Sequence, residues 1–345
     1  MGTAIRVLLV DDSTFLRHTL AKRLQADPEI AIVGAAVDGL DAVAKTQELR
    51  PDVVVLDVEM PRMDGLAALK EIMAACPTPV VMFSAHTQYG ARATIQALMY
   101  GAVDFCPKPA YGSAPEAVAE LAAKIKAAAS VSPPTALAPA VSTSKAQDKM
   151  GLRPLHRQDH LIVIGASTGG PRALQWILPA LPAGLPAAIA VVQHMPRGFT
   201  QSLAARLNEN SALTVEEAVT GRVLERGLVL VAPGDWHLCF SSDGCAVLDN
   251  GPRRNHVRPS VDVTMESAAG VYGAAVIGVV LTGMGNDGAA GAARIRATGG
   301  KVLAEHESSS IIYGMPRSVI EAGQADQVVP LSEIAAALTE LVQHG

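Results

Sequence analysis

The sequence predicts an α/β protein of two domains, each a doubly wound, mostly parallel sheet covered by helices. Three observations carry this. Short apolar runs alternate with helical segments through residues 1–126, and again through 159–345. The apolar fraction is 49% while aromatics are only 3%, an aliphatic composition suited to strands buried on both faces. Between the two regions, residues 127–158 lose any sustained period and carry Ser-Pro-Pro, repeated Ala and Pro, and Ser-Thr-Ser-Lys, which reads as a linker with some helix at its Ala-rich start.

In the first region Ile5 to Val10 reads as a strand, and Ser13 caps a helix whose Leu16, Leu20 and Leu24 share one face. Ile30 to Ala36 is the next strand, followed by a helix starting at Asp38. Val53 to Leu56, Val80 to Ser84 and Val103 to Cys106 complete five βα units in about 125 residues. In the second region strand Leu161 to Gly165 leads to helix Pro171 to Leu181, and strand Ala187 to Val192 to a helix from Thr200. Val229 to Ala232 is a strand. His237 to Phe240 and Cys245 to Asp249 flank Ser241-Ser242-Asp243-Gly244, an antiparallel hairpin signal. Helix Val261 to Tyr272, strand Ala275 to Leu281 and the short strands Lys301 to Glu305 and Gln327 to Val329 follow.

The bulk numbers exclude several functions. The 345 residues carry a net charge of −5 with no long basic run, so nucleic-acid binding has no electrostatic footprint. The longest aliphatic stretches, such as Ala274 to Leu281, are far shorter than a bilayer span, so no membrane insertion is expected. The N-terminus runs directly into an apolar strand containing Arg6. No signal peptide is expected there, and a cytoplasmic location is the default. Cys76, Cys106, Cys239 and Cys245 form no CxxC and no zinc spacing with histidine, and read as reduced thiols.

Ligands of open parallel sheets bind beyond the carboxyl ends of the strands. In the first domain that edge receives Asp11 and Asp12 after strand one, Asp57 at strand three and Ser84 at strand four. Lys108, between Pro107 and Pro109, follows strand five. Crowded carboxylates repel, and Mg²⁺ is the hard cation that suits oxygen ligands and a phosphate donor. Asp57 can then attack phosphorus, with Ser84 and Lys108 binding the phosphoryl oxygens. Any one of these residues alone reads as an ordinary loop acid or surface lysine; five strand ends in order do not.

Residues 1 to about 125 resemble a two-component receiver domain. The matching text is Val-Asp-Asp-Ser at 10–13, Leu-Asp-Val-Glu-Met-Pro-Arg-Met-Asp-Gly at 56–65, Phe-Ser-Ala at 83–85 and Gly-Ala-Val-Asp-Phe-Cys-Pro-Lys-Pro at 101–109. The resemblance implies a flavodoxin-like (βα)5 fold and phosphorylation of Asp57 by a partner histidine kinase of the CheA type. It also implies Mg²⁺ held by Asp11, Asp12, Asp57 and the backbone carbonyl of Glu59, with Phe105 as the switch aromatic.

In the second domain Gly165-Ala166-Ser167-Thr168-Gly169-Gly170 follows a strand and precedes a helix opened by Pro171, fitting G-x-S-x-G. Small neighbours let the backbone bend and let substrate approach Ser167, and the helix N-terminus offers N–H groups to an oxyanion. Alone, the turn reads equally as a phosphate or dinucleotide loop, or as a purely structural turn. The next strand, however, ends in Gln193-His194-Met195-Pro196, with no acid for a ribose. His194 is a candidate base, or simply a polar loop residue. Asp287, in Leu281-Thr282-Gly283-Met284-Gly285-Asn286-Asp287-Gly288, is a candidate third member, or the N-cap of the Ala-rich helix after it. In the catalytic reading Ser167 attacks an acyl carbon, His194 moves the proton and Asp287 orients the imidazole. The order Ser, His, Asp differs from the Ser, Asp, His order of α/β-hydrolases. N–H groups near Thr168 or Met284 are candidate oxyanion donors.

Residues 160–345 resemble the catalytic domain of chemotaxis protein-glutamate methylesterases, the CheB family. The matches are Ile-Gly-Ala-Ser-Thr-Gly-Gly at 164–170, Gln-His-Met-Pro-Arg-Gly-Phe-Thr at 193–200 and His-Val-Arg-Pro-Ser-Val-Asp at 256–262, together with residues 281–288 above and Tyr-Gly-Met-Pro-Arg at 313–317. The resemblance implies hydrolysis of glutamate γ-methyl esters, and often deamidation of glutamines, on methyl-accepting chemoreceptors. It places the triad on Ser167, His194 and Asp287 and implies no cofactor for the hydrolase. One departure is Glu305-His306, where the family pattern is expected to carry Gln-Asp. His256 and Arg258 are candidates for the cleft lining or for a structural loop. Arg172, Arg197 and Arg258 are candidates for docking an acidic receptor segment. Masking of the hydrolase cleft by the unphosphorylated receiver is the expected form of regulation. Two rival readings are a decayed, phospho-dependent scaffold and a nucleotide-binding oxidoreductase using the 165–170 loop.

Overall fold

The computed structural model describes residues 4–85, 87–108, 115–131, 151–155 and 159–344. Contacts divide the chain into two units, Met1–Leu137 and Ala138–Gly345. The first alternates β1 (Ile5–Val10), α1 (Thr14–Leu24), β2 (Ile30–Ala36), α2 (Gly39–Leu49), β3 (Val53–Asp57), α3 (Gly65–Ala75), β4 (Val80–Ser84), α4 (Gln88–Tyr100), β5 (Asp104–Pro107) and α5 (Pro115–Ala129). All five strands are parallel in the order β2-β1-β3-β4-β5, the flavodoxin-like arrangement. Local chemistry explains the boundaries. Ser13 Oγ, the expected cap, accepts from Leu16 N–H; Asp38, expected as the start of the next helix, caps it by accepting from Asp41 N–H, so both hold orphan donors of their helices. Leu20 and Leu24 bury the inner face of α1, with Leu16 half-buried at its edge.

The second unit contains β6 (Arg153–Pro154), β7 (His160–Ala166), α6 (Gly170–Ala180), β8 (Ala187–Gln193), α7 (Phe199–Asn210), β9 (Thr214–Glu217), β10 (Glu225–Arg226), β11 (Leu228–Val231), β12 (His237–Phe240) and β13 (Ala246–Asp249). It continues with α8 (Val261–Tyr272), β14 (Val276–Val280), α9 (Ala289–Ala297), β15 (Lys301–Glu305), α10 (Met315–Glu321), β16 (Gln327–Val329) and α11 (Leu331–His344). Seven strands form one parallel sheet, β16-β15-β14-β7-β8-β11-β9. Chain order runs outward from β7 to β8 on one side and returns to β14 on the other, so the switch point lies between β7 and β14. Leu161, Ile162, Val163 and Ile164 of β7 are all fully buried. At about 1.5–3 kcal/mol per buried aliphatic side chain, they anchor the strand that carries the site. The expected hairpin is present as β12–β13, pairing His237 with Asp249 and Phe240 with Ala246.

Two features differ from the sequence reading. β9 is an edge strand whose Glu216 and Glu217 hide its pattern, since charged edges discourage strand addition. A second antiparallel pair, β6 with β10, draws Arg153–Pro154 of the expected linker into the catalytic unit. At the other end of that linker, α5 continues to Ala129, the helix expected at its Ala-rich start. Residues 132–150 and 156–158 of the linker lie outside the described residues. Among the described residues no helix is long and apolar enough to cross a membrane.

Candidate functional site

The first unit gathers its acids beyond the carboxyl ends of β1 and β3. Burial of Val53–Leu56 carries Asp57 to 2% exposure; Asp11 is buried and Asp12 exposed. One carboxylate oxygen from each of the three lies within 4.8 Å of the others. Lys108 Nζ stands 2.7 Å from both Asp11 Oδ2 and Asp57 Oδ2. Burial pushes the Asp57 carboxyl up to about 6, with Lys108 opposing and the Asp11 charge adding to the rise. Burial works against the Lys108 ammonium, but Asp57 and Asp11 raise its pKa overall. One ammonium against three carboxylates leaves excess negative charge on an all-oxygen donor set. That suits a hard divalent cation such as Mg²⁺, which Asp11, Asp12 and Asp57 would hold and which would offset phosphoryl charge.

The other receiver candidates take their places around this cluster. Glu59 N–H points at Asp57 Oδ1 from 3.4 Å, while its side chain accepts from Thr87 Oγ1 at 3.1 Å. Ser84 is fully buried at the end of β4, the strand paired with β3, and its carbonyl accepts from Lys108 N–H at 2.7 Å. Phe105 is buried, with Lys124 Nζ 5.2 Å from its ring centroid. Pro109 lies outside the described residues. Gly65, which ends the 56–65 motif, has a duty the motif does not state: a Cβ there would meet the Asp57 carbonyl oxygen at 2.0 Å, so only glycine lets α3 start against the acceptor.

In the second unit the residues cluster at the switch point. Ser167 follows β7 and His194 follows β8, directly beyond the paired residues Ala166 and Gln193. His194 N–H donates to Ala166 O at 3.0 Å. Gln193 Nε2 donates to Ser167 O at 2.9 Å and to His194 O at 3.3 Å, tying the two segments together. Ser167 is half-buried; its N–H donates to Thr282 O at 3.0 Å and its carbonyl accepts from Gly170 N–H at 2.8 Å. The loop after β14 presses on this turn. A Cβ on Gly283 would stand 2.7 Å from Ser167 Cβ, so glycine is required there.

Asp287 lies 2.8 Å from His194 Nε2 through Oδ2. It does not cap the helix that follows it: Gly288 is the N-cap residue of α9. Its carboxylate instead accepts from Val261 N–H at 2.7 Å and Asp262 N–H at 3.1 Å, the start of α8, and from Ser260 Oγ at 2.8 Å. Asp262 on α8 returns the favour: its Oδ1 accepts from Gly288 N–H at 2.9 Å and Gly291 N–H at 2.7 Å. Each acid thus serves the other's helix N-terminus. Asn255 Nδ2 lies between them, 2.9 Å from Asp262 Oδ2 and 3.1 Å from Asp287 Oδ1. Burial raises the Asp287 carboxyl, but the His194, Val261 and Ser260 donors together bring it down to about 2. Burial dominates at Asp262 and raises it, with the Asp287 charge contributing. An ionised Asp287 requires Nε2 to carry the hydrogen, which leaves the Nδ1 lone pair of His194 free to take a proton.

The remaining candidates separate. Thr168 is buried beside Ser167, and its carbonyl accepts from Thr282 Oγ1 at 2.9 Å. Met284 is 45% exposed next to Gly283. His256 is exposed at positive φ, 66°, in the turn that positions Asn255. Arg258 Nη1 is spent on the carbonyls of Asn250 and Gly251, both at 2.7 Å, so it clamps the loop. Arg172 on α6 is half-buried, and burial lowers its pKa, with no acid among the described residues opposing. Arg197 is exposed. The sequence reading assigned no role to Gln193, Asn255, Ser260 or Thr282; Gln193, Ser260 and Thr282 lie in quoted motifs, but only the fold shows what their polar groups bond.

Both units of the chain match known protein families. Residues 162–338 match the family model described as CheB methylesterase, and residues 7–119 match that of the response regulator receiver domain. A protein-glutamate methylesterase/protein-glutamine glutaminase from Symbiobacterium thermophilum is 50% identical, with 99% of this chain and 98% of the relative covered. The protein of the same name from Thermotoga maritima is 46% identical, with 98% of each chain covered. The crystal structure of the Thermotoga maritima CheB methylesterase catalytic domain matches with a TM-score of 0.52 at 49% identity, covering 53% of this chain and 99% of that one. With one family spanning half the chain and relatives spanning nearly all of it, the chain belongs to the CheB methylesterase family and carries a response regulator receiver domain ahead of its catalytic domain.

Proposed function

We propose that this chain is a serine hydrolase that demethylates glutamate γ-methyl esters, and deamidates glutamines, on methyl-accepting chemoreceptors, under control of phosphorylation at Asp57. The observation that carries the reading is the Asp287–His194 hydrogen bond at 2.8 Å at the switch point, beside the Ser167 turn. Ser167 Oγ attacks the ester carbon and His194 Nδ1 takes its proton. The oxyanion faces N–H donors of the turn, with those near Thr168 and Met284 as candidates. His194 then protonates the departing methanol, or ammonia from a glutamine. Water attacks the acyl-enzyme with His194 again as base, releasing the glutamate carboxylate. Asp287, held ionised by its donors, stabilises the imidazolium throughout.

The unopposed Arg172 at the start of α6 and the exposed Arg197 support docking of an acidic helix. In the receiver, Asp11, Asp12 and Asp57 would hold Mg²⁺ while a histidine kinase of the CheA type supplies the phosphoryl group. The Ser84 hydroxyl and the Lys108 ammonium would receive it.

Methanol release from methylated receptor by the full chain tests the reading. Ser167→Ala should lower release by at least about 10⁴-fold. A small-molecule phosphodonor should raise release by wild type and not by Asp57→Asn. Undiminished release by Ser167→Ala would sink Ser167 as the nucleophile, and no release by wild type, with or without the phosphodonor, would favour the scaffold.

A further inference from the structure

Glu305 is a carboxylic acid with no exposed surface, and the proposed reaction gives it no part. It closes β15 after the buried, apolar Val302, Leu303 and Ala304. Its Oε2 accepts from Thr282 N–H at 2.8 Å, and Ser309 Oγ donates to its Oε1 at 2.9 Å. Ser309 Oγ accepts in turn from Leu331 N–H at 2.9 Å, at the start of α11. Thr282 is the residue on which the nucleophile turn rests. Its carbonyl accepts from Ser167 N–H at 3.0 Å, and its hydroxyl donates to Thr168 O at 2.9 Å and accepts from Ile312 N–H at 2.9 Å. One residue therefore separates Glu305 from the backbone that fixes Ser167. Residues 305–306 are also where the sequence departs from the pattern its family resemblance implies.

Among the described residues no basic group faces this carboxylate. Burial pushes it up to about 7, against the Thr282 N–H and the Ser309 hydroxyl. The charged residues on neighbouring segments are all exposed: His306 and Glu307 of the next turn, Arg294 and Arg296 of α9, Arg317 of α10 and Glu333 of α11. Arg296 is engaged by Asp326 and Arg317 by Glu321. Tyr313, on the segment bridged to Gly283, answers to Glu307, Arg317 and Glu321. The flanking strands β14 and β16 bring no charge.

Both protonation states find partners. Ionised, the carboxylate accepts from Thr282 and Ser309. Protonated, it donates to Ser309 Oγ, whose hydrogen turns to His306 O at 3.3 Å. We infer that Glu305 is a positioning residue: the carboxylate holds Thr282 N–H through a charge-assisted bond, and thereby the Ser167 turn, and its protonation loosens that hold. The activity arm of this inference rests on the hydrolase reading; the stability arm does not.

Glu305→Gln in the full chain tests it. The amide oxygen can serve Thr282 and the amide nitrogen Ser309, which reproduces the neutral state at every pH. The ratio of wild-type to variant kcat on methylated receptor should rise about fivefold between pH 6 and 8, with KM unchanged. The sign for stability is opposite. The folded value lies above the unfolded one, so Glu305 supports folding fully below about pH 4.5 and loses that support as pH rises through about 7. The variant should therefore melt level with wild type near pH 4.5 and above it near pH 8. A kcat ratio flat with pH overturns the positioning role, even if the variant is slower throughout. A melting difference flat with pH overturns the buried ionisation. If Ser167→Ala retains full activity the serine-nucleophile reading fails, and the melting curves still judge Glu305.

Discussion

Asp57 and Asp287 stand at the carboxyl ends of parallel sheets in the two domains and are almost equally buried, at 2% and 3% exposure. Their surroundings differ in the number of donors. Asp287 receives five: His194 Nε2, Asn255 Nδ2, Ser260 Oγ and the N–H groups of Val261 and Asp262. Asp57 has the Lys108 ammonium at 2.7 Å, shared with Asp11, and a long contact to Glu59 N–H. The same side chain is consequently driven down to about 2 in one place and up to about 6 in the other. A saturated carboxylate keeps its charge and orients a neighbour. An unsaturated one keeps free lone pairs, and so draws a cation and can act as a nucleophile.

The largest test of that contrast is the same substitution at the saturated site. Asp287→Asn preserves shape but removes the charge that fixes the His194 tautomer, and methanol release should fall by about 10⁴-fold. A fall of less than tenfold would mean that Asp287 does not orient His194.

The unsaturated site should announce itself through pH. Asp57 has a folded value above its unfolded one, so its contribution to stability is complete below about pH 3.8 and disappears as pH rises through about 6. That loss is worth up to about 3 kcal/mol and should be missing from the unfolding curves of Asp57→Asn. Saturating Mg²⁺ should restore about 2.7 kcal/mol at a hundredfold excess over Kd, mainly above pH 6, and Asp57→Asn should abolish the gain. Unfolding midpoints of wild type that ignore both pH and Mg²⁺ would dissolve the comparison.

The smallest effect concerns the amide shared by two acids. Asn255→Ala leaves Asp262 and Asp287 facing one another without their common donor. It should cost about 1–2 kcal/mol in denaturant unfolding of the catalytic domain. Asp262→Asn combined with Asn255→Ala should then cost less than the sum of the single changes, because the repulsion Asn255 offsets would already be gone.

Much of this was legible in residue order. The five strand ends of the first domain, the cap at Ser13, the helix start at Asp38, and the strand–turn–helix around Ser167 follow from period and turn chemistry, which act locally. The partnership of Asp287 was legible only in part. Its position before an Ala-rich helix suggested a cap for that helix, yet the N–H groups it accepts belong to α8, which ends fifteen residues before Asp287. A carboxylate at a turn finds whichever donors the tertiary fold presents, and sequence spacing does not encode that choice. The roles of Gln193, Thr282 and Glu305 were hidden for the same reason. Each acts through a backbone amide or carbonyl in the loop after another strand, and backbone groups leave no mark in residue identity. β9 escaped because an edge strand answers to solvent on one side, so its Glu216 and Glu217 break the apolar run by which strands are found.

The place of β7 in the sheet has a consequence for how the protein is made. β7 pairs with β8, which follows it closely, and with β14, more than a hundred residues later. On the ribosome the receiver and the serine turn emerge first, and the turn can gather His194 soon afterwards. Asp287, Thr282 and the loop that presses on Ser167 arrive only once β14 has docked. A chain interrupted before that point carries a phosphoacceptor but an incomplete hydrolase, so receptors never meet an esterase that is finished before its regulator.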